Sequence, residues 1–167
     1  MIQQENTPSL NDHPWIVLIH PEIPPNTGTI ARLSAAFQCP LHLIEPLGFS
    51  LSEKHVRRAG LDYWPYVNLT VHPSWEVFRD LYQETKRFIF VETKIGESSY
   101  DFEYQKNDLL IFGGETKGIP QQILDNPPKK HGYVTIPMYH DYVRSINLSN
   151  SVSIVVHACQ QKIYKKS

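Results

Sequence analysis

The sequence predicts an α/β fold in which helices flank a mainly parallel sheet. Residues 15–20 (WIVLIH) form a nearly continuous apolar run, which is typical of a strand buried on both faces. Short apolar segments of this kind alternate along the chain with segments of helical spacing. Loops rich in glycine and small polar residues follow several of them. Because ligands of α/β proteins bind where loops leave the carboxyl ends of strands, these loops are candidate site elements.

Composition adds few constraints on function. The 167 residues carry a formal net charge of −1, so bulk charge indicates neither nucleic-acid nor membrane binding. Residues 1–13 are polar and predict a flexible N-terminal arm ahead of a single domain over residues 14–167. Two isolated cysteines, no leader sequence and no apolar run of membrane-spanning length predict a cytoplasmic protein. Histidine and cysteine spacing suggests no metal site.

A helix is predicted directly after the first strand. Pro24 and Pro25 cannot continue the strand, and Asn26 is the predicted N-cap of the helix that follows. Asn26, Gly28 and Arg32 are then expected to project from the start of this helix, at the carboxyl end of the strand. This arrangement would place them beside the loop site.

The other elements follow from capping residues and apolar runs. A strand is predicted over residues 41–44, and the spacing of Ser50 and Glu53 predicts a helix that ends near residue 59. The remaining predicted elements are, in order, a helix capped by Ser74, strands at residues 87–92 and 108–112, a short helix at residues 120–125, a turn at residues 126–132, a strand at residues 134–136 and a last helix from Ser149.

Two polar loops dominate the candidate chemistry. They cover residues 113–118 (GGETKG) and the segment that ends near Asn150. No dinucleotide, phosphate-loop or zinc-protease motif occurs in the sequence. The polar residues that are expected to converge include no strong nucleophile, which favours binding and orienting a polar ligand over covalent catalysis. They are Asn26, Arg32, Glu115, Ser145, Asn147 and Asn150.

Three segments resemble, in the same order, the motifs of the SPOUT superfamily of RNA methyltransferases. They are residues 26–32 (NTGTIAR), 112–120 (FGGETKGIP) and 136–153 (IPMYHDYVRSINLSNSVS). Residues 44–49 (IEPLGF) and 57–64 (RRAGLDYW) narrow the resemblance to the tRNA (cytidine/uridine) 2′-O-methyltransferases that act on the wobble nucleotide. Two departures are Gly114, where proline or serine is common, and a longer segment over residues 139–143.

The resemblance implies a cofactor, a substrate and an assembly. The cofactor is S-adenosylmethionine, with S-adenosylhomocysteine as product, and the substrate is the anticodon stem-loop of tRNA. The assembly is a homodimer formed through a C-terminal deep trefoil knot. General topology disfavours knots, so this feature is implied by the resemblance alone.

The resemblance also implies roles for individual residues. The catalytic residues are expected to be Arg32, Asn26, Glu115, Ser145 and Asn147. The cofactor contacts are expected to be Val91, Thr93, Gly113, Glu115, Gly118, Ile136, Met138, Ser145 and Leu148. The basic residues expected to contact RNA are Arg57, Arg58, Lys129, Lys130 and Arg144.

Arg32 is expected to hold a phosphate beside the target ribose and to orient its hydroxyl. An always-protonated guanidinium is a poor general base, so direct proton abstraction is the less favoured alternative. A structural interpretation also remains, in which Asn26 and Asn147 only cap helices and Arg32 lies on the surface. Two functional alternatives are a related enzyme acting on another tRNA position or on rRNA, and a non-catalytic RNA-binding module.

Overall fold

The computed structural model describes residues 12–51 and 62–164. Its strands are β1 (Trp15–Ile19), β2 (Leu41–Ile44), β3 (Leu69–His72), β4 (Phe88–Val91), β5 (Glu97–Ser98), β6 (Leu109–Phe112) and β7 (His131–Thr135). Within the described residues they form one sheet in the order β3-β2-β1-β6-β4-β7-β5. Every neighbouring pair is parallel. The predicted α/β class with a mainly parallel sheet is therefore confirmed.

Four helices accompany the strands in the described ranges. They are α1 (Pro24–Phe37), α2 (Trp75–Tyr82), α3 (Gln121–Asp125) and α4 (Leu148–Tyr164), with a 3₁₀ turn at Trp64–Tyr66. None of these helices is both long and apolar enough to cross a membrane. The helix predicted after Ser50 falls mostly on residues 52–61, outside the described residues, as do residues 1–11 of the predicted arm.

The sheet separates two apolar cores. Ile16 and Leu18 of β1 pack on one face with side chains of α1 and α4. Val17 and Ile19 pack on the other face with α2 and its aromatic residues. All four side chains are 0% exposed, which explains why β1 is apolar at every position rather than at alternate ones.

The prediction that Asn26 is the N-cap of α1 is wrong. The helix begins at Pro24, and Ile23 rather than Asn26 occupies the N-cap position. Proline suits the first turn because an N–H group there has no partner within the helix, and its fixed φ already matches helical geometry. Two prolines therefore start the helix two residues before Asn26. The Asn26 side chain lies inside the first turn, where it bonds to other parts of the chain.

Two strands and the start of a third were also missed. β3 and β5 were not predicted: β3 has an intermediate or exposed residue at most positions, and β5 contains two residues. β7 begins at His131, within the segment predicted as a turn. In all three cases, pairing with a neighbouring strand forms the strand where local apolar character is weak.

A buried histidine pair joins β2 to β3. His42 Nδ1 and His72 Nε2 lie 2.8 Å apart, and the His42 ring stacks on Trp15 with centroids 4.6 Å apart. Burial is the main cause that lowers the pKa of His42 to about 3, and the charges of His72 and Lys86 contribute to the same shift. Burial also lowers the pKa of His72. The pair is therefore neutral in the folded protein at neutral pH.

We expect this pair to make the fold sensitive to acid. The unfolded chain protonates His42 near its ordinary pKa of 6.5, whereas the folded chain does so near 3. Because the folded pKa is the lower one, the stabilisation is complete above pH 6.5 and is lost as the pH falls from 6.5 toward 3. Each pH unit within this window costs about 1.4 kcal/mol. Urea unfolding of wild type and His42→Asn at several pH values should show a shallower pH dependence for the variant. Parallel curves would assign the acid sensitivity to other groups.

Candidate functional site

A cavity of about 880 Å³ opens at the carboxyl ends of β4, β6 and β7. This volume is in the range of small-molecule sites. Most of its lining comes from residues 91–94, residues 112–119, Ile136, Met138 and residues 144–148, which lie at strand ends or around the start of α4. β2 and β3 lie on one side of β1, and the later strands lie on the other side. The strand order therefore reverses between β1 and β6, and parallel α/β sheets bind ligands at such a position.

The cavity brings together every residue that the resemblance implies for the cofactor. Apolar walls come from Val91, Ile136 and Leu148, and backbone-rich walls come from the glycine loop after β6. The lining includes Val91, Thr93, Gly113, Glu115, Gly118, Ile136, Met138, Ser145 and Leu148. These positions are spread over nearly sixty residues of sequence, so their convergence follows from the parallel sheet.

Glu115 holds the start of α1 against the loop after β6. Its Oε2 accepts a hydrogen bond from Glu22 N at 2.7 Å, and its Oε1 accepts one from Ile23 N at 3.1 Å. Oε1 also accepts from Asn26 Nδ2 at 3.1 Å. A carboxylate is favourable here because the N-terminus of a helix carries a partial positive charge. The Glu115 carboxylate therefore acts in the manner of a cap supplied from a distant loop.

Asn147 extends this contact to α4. Its Nδ2 donates to Asn26 Oδ1 at 3.1 Å, while its Oδ1 accepts from Ser149 N at 2.8 Å and from Asn150 N at 3.3 Å. Asn147 therefore caps α4 and also binds Asn26, which is 8% exposed. The resulting Glu115–Asn26–Asn147 network joins residues from all three resembling motifs. Asn147 therefore caps a helix, as the purely structural interpretation holds, and it also links α4 to Asn26.

Arg32 does not join this network. It is exposed on α1, outside the cavity lining, with its guanidinium carbon 5.8 Å from the centroid of the Tyr63 ring. Six residues of helix place Arg32 about 9 Å along the axis from Asn26 and about 120° around it. The two side chains therefore project in different directions, which differs from the prediction that both lie beside the loop site.

Tyr63 is a neighbour of Arg32 whose contact was not anticipated. Its hydroxyl donates to the Gly28 carbonyl oxygen at 3.1 Å, which ties it to the first turns of α1. Burial raises the pKa of Tyr63, and the nearby Arg32 charge opposes that rise. The sequence shows Tyr63 among aromatic residues that follow a basic cluster, but this pattern does not indicate that Arg32 is its neighbour.

The residues predicted to contact RNA lie in different places. Arg144 lines the cavity, whereas Arg57 and Arg58 fall outside the described residues. Lys129 and Lys130 precede β7, so they lie at the amino ends of the strands, on the order of 15 Å from the carboxyl end of β7. Lys130 Nζ donates there to the Glu84 carbonyl oxygen at 2.8 Å. The structure therefore does not bring the two lysines to the cavity.

Among the described residues, three charged residues outside the predicted set also line the cavity. Glu92, Lys94 and Lys117 belong to its walls, together with the predicted Ser145. Burial raises the pKa of the Glu92 carboxyl, and a hydrogen bond from the backbone of Thr93 opposes the shift. Glu92 lies between Val91 and Thr93, which the resemblance implies as cofactor contacts. This position is the feature of the sequence that could have indicated Glu92 as a lining residue.

Gly113 allows the loop after β6 to fold back on itself. A Cβ atom at this position would lie 2.0 Å from the Gly118 carbonyl carbon and 2.1 Å from Ile119 N. Gly114 is similarly close to the end of β1, since its Cβ would lie 2.6 Å from the His20 carbonyl oxygen. Backbone atoms cannot move aside as a flexible side chain can. This part of the cavity wall therefore requires glycine.

We expect Gly113→Ala to lower the free energy of unfolding by about 3 kcal/mol or more, because the methyl group overlaps backbone atoms. Gly118→Ala is the matched control, since an added Cβ there meets nothing within 4 Å. Its positive φ of 67° should still cost about 1 kcal/mol. Urea unfolding of both variants measures the difference. Equal stability of the two variants would show that the loop has room to relax.

Comparison with known proteins agrees with this geometry. The SpoU rRNA Methylase family matches residues 14–157. The chain is 44% identical over 152 residues to the tRNA (cytidine(34)-2′-O)-methyltransferase of Yersinia pestis, covering 89% of this chain and 93% of the relative. A solved structure described as giving insights into the 2-OH methylation of C/U34 on tRNA is 37% identical, with a TM-score of 0.85 over 93% of this chain and 99% of that one.

A more distant structure shares the fold alone. The SpoU methyltransferase AviRb from Streptomyces viridochromogenes, solved in complex with AdoMet, is 20% identical with a TM-score of 0.78. The alignment covers 92% of this chain and 62% of AviRb. The family match spans nearly all of the described residues and includes the three motifs that meet at the cavity. The chain therefore belongs to the SpoU rRNA methylase family.

Proposed function

We propose that this protein transfers a methyl group from S-adenosylmethionine to the ribose 2′-hydroxyl of the tRNA wobble nucleotide, cytidine or uridine 34. The observation that carries the proposal is the convergence of three motifs on one cavity, held together by the Glu115–Asn26–Asn147 network. The relative and the structure of highest identity described above are both associated by name with methylation at this position.

The cavity suits S-adenosylmethionine in size and chemistry. Its volume of about 880 Å³ lies within the range of small-molecule sites. Val91, Ile136 and Leu148 would pack against the adenine ring, and the backbone of the glycine loop would supply hydrogen bonds. When bound, the cofactor supplies an electrophilic methyl group. Burial raises the pKa of the Glu92 carboxyl, and the sulfonium charge of a bound cofactor would oppose that shift.

Arg32 is positioned to meet the RNA rather than the cofactor. Its guanidinium is exposed and lies outside the cavity, so a phosphate can approach it from solvent. A planar guanidinium binds phosphate through paired hydrogen bonds, which would fix the neighbouring ribose. Its positive charge would also stabilise negative charge that develops on the 2′-oxygen. This exposure favours the phosphate-holding role over direct proton abstraction.

The direct test is methyl transfer from labelled S-adenosylmethionine to unmodified bulk tRNA, followed by mapping of the modified nucleotide. Label on the 2′-oxygen of nucleotide 34 is the expected result. Label at another tRNA position, or in rRNA only, would replace the substrate and retain the reaction. Cofactor binding with no transfer to any RNA would favour a non-catalytic module. Failure to bind the cofactor would remove the methyltransferase assignment.

The assembly and location belong to the same proposal. We propose a homodimer formed through a knotted C-terminal region, with residues 14–167 as one domain, acting in the cytoplasm on the anticodon stem-loop. Ile154, which is 37% exposed on α4, offers apolar surface for a second copy. Light scattering at several protein concentrations tests the dimer, and a monomer at all of them would refute it.

A further inference from the structure

An exposed aromatic segment lies next to the cavity. It comprises residues 139–142 (YHDY), in which Tyr139 is 91% exposed and Tyr142 is 88% exposed. Tyrosine side chains usually bury much of their ring area, so two almost fully exposed rings in one short segment are uncommon. The segment contributes little to the core of the described residues, and its aromatic composition calls for a different explanation.

Chain continuity places this aromatic segment at the cavity rim. Met138 precedes it and Arg144 follows it, and both residues line the cavity. Tyr142 is two residues from Arg144, so their backbones are at most about 7 Å apart. Tyr139 directly follows Met138. A ligand that extends out of the cavity on this side therefore meets the aromatic rings first.

The segment already contains one stacked pair. The rings of His140 and Tyr142 have centroids 3.7 Å apart and planes inclined by 20°. A tyrosine ring that is 88% exposed while stacked on one face keeps its remaining surface open to solvent. The cation of Arg144 follows two positions later. Aromatic faces beside a cation are the combination that binds single-stranded nucleic acid through base stacking and phosphate attraction.

We infer that Tyr139 and Tyr142 form a stacking platform for an unpaired RNA base adjacent to the nucleotide that enters the cavity. The inference rests on the proposed function and adds the residues that position the substrate. Stacking is tolerant of base identity because every base has a π-face, so the platform would align the strand rather than read its sequence. Arg144 would contact the intervening phosphate and thereby connect the platform to the reaction site.

A protein partner is a poorer occupant of the same surface. The segment places His140 and Asp141 between its two tyrosines, and Arg144 follows shortly after. Charged residues are depleted at the centre of protein interfaces, where fully buried apolar groups predominate. Alternating aromatic and polar groups suit a nucleotide, which presents a flat base and a charged backbone in close succession.

The test measures binding of an unmodified anticodon stem-loop RNA to the full chain. We expect the Tyr139→Ala/Tyr142→Ala double variant to bind this RNA about 5- to 100-fold more weakly than wild type, the effect of losing one stacked base. S-adenosylmethionine affinity and molecular mass should stay unchanged. The Tyr139→Phe/Tyr142→Phe variant retains both rings and should bind like wild type. Tyr100→Ala removes a tyrosine that is 54% exposed in another loop and serves as the matched control.

The possible failures are distinguishable. If wild type methylates tRNA but the alanine variant binds RNA normally, the platform is refuted and the proposed function stands. If wild type neither binds nor methylates RNA, the proposed function itself fails. A change in molecular mass in the alanine variant would assign the segment to contacts between copies of the chain. Weak binding by the phenylalanine variant would assign the effect to the hydroxyl groups and exclude stacking.

Discussion

Replacing Arg32 by alanine is expected to lower kcat for methyl transfer to tRNA by at least about 100-fold. S-adenosylmethionine affinity should not change, because Arg32 lies outside the cavity lining. Folding should also be retained, since the side chain is exposed and its described contact is with the Tyr63 ring. Single-turnover methylation and calorimetric titration of the cofactor measure the two effects separately.

Two further variants interpret the Arg32 result. Arg32→Lys keeps the charge but loses the planar pair of hydrogen bonds, so it should recover only part of the rate. Arg79→Ala is the control for general loss of a helical arginine, since Arg79 is partly exposed and pairs with its neighbour Asp80. Full activity of Arg32→Ala would leave the residue with a surface role only and would move the search for the orienting group to Arg144.

Glu115→Ala is expected to lower the free energy of unfolding by about 2–4 kcal/mol and to abolish detectable methyl transfer. The change removes an acceptor for three hydrogen bonds, and bonds to a charged group contribute about 1.5–3 kcal/mol each in favourable cases. Without Glu115, the start of α1 loses its connection to the loop after β6. Urea unfolding measures the loss of stability, and the labelled methyl-transfer assay measures the loss of activity.

A matched pair of variants separates the network from the loop. Thr116 lies in the same loop as Glu115, and its hydroxyl donates to the Glu22 carboxylate. Thr116→Ala removes this bond and should lower the free energy of unfolding by about 1 kcal/mol or less. Glu115→Gln keeps one oxygen acceptor but presents N–H groups to other donors, so its stability should be intermediate. Wild-type stability in Glu115→Ala would mean that the packing of the loop, rather than the carboxylate, positions α1.

The sequence was sufficient to predict the central strands of the sheet, because they are apolar on both faces. β1 illustrates this, since a short run such as WIVLI has no polar side and is typical of an interior strand of a parallel sheet. The carboxyl-end loops followed from the same reasoning, and they do form the cavity. β3 and β5 could not be predicted because their pairing partners, and not their own residues, determine them.

The contacts within the site were less predictable than its location. Asn26 looked like a helix cap because asparagine often occupies that position, but two prolines started the helix earlier. The motif that contains Asn26 and Arg32 suggested a shared direction, whereas helical geometry separates them. The partners of Asn26 are 89 and 121 residues away in sequence, and no local pattern indicates contacts at such separations.

The Asn26–Asn147 hydrogen bond can form only late in the synthesis of the chain. Its two residues are separated by 121 positions, and ribosomes add roughly 5–20 residues per second. Asn26 therefore waits roughly 6–24 s after its own incorporation before its partner exists. The strands β1 and β2 can pair during this time, but the cavity cannot be completed. A chain that ends just before Asn147 would consequently contain all seven described strands and no finished binding site.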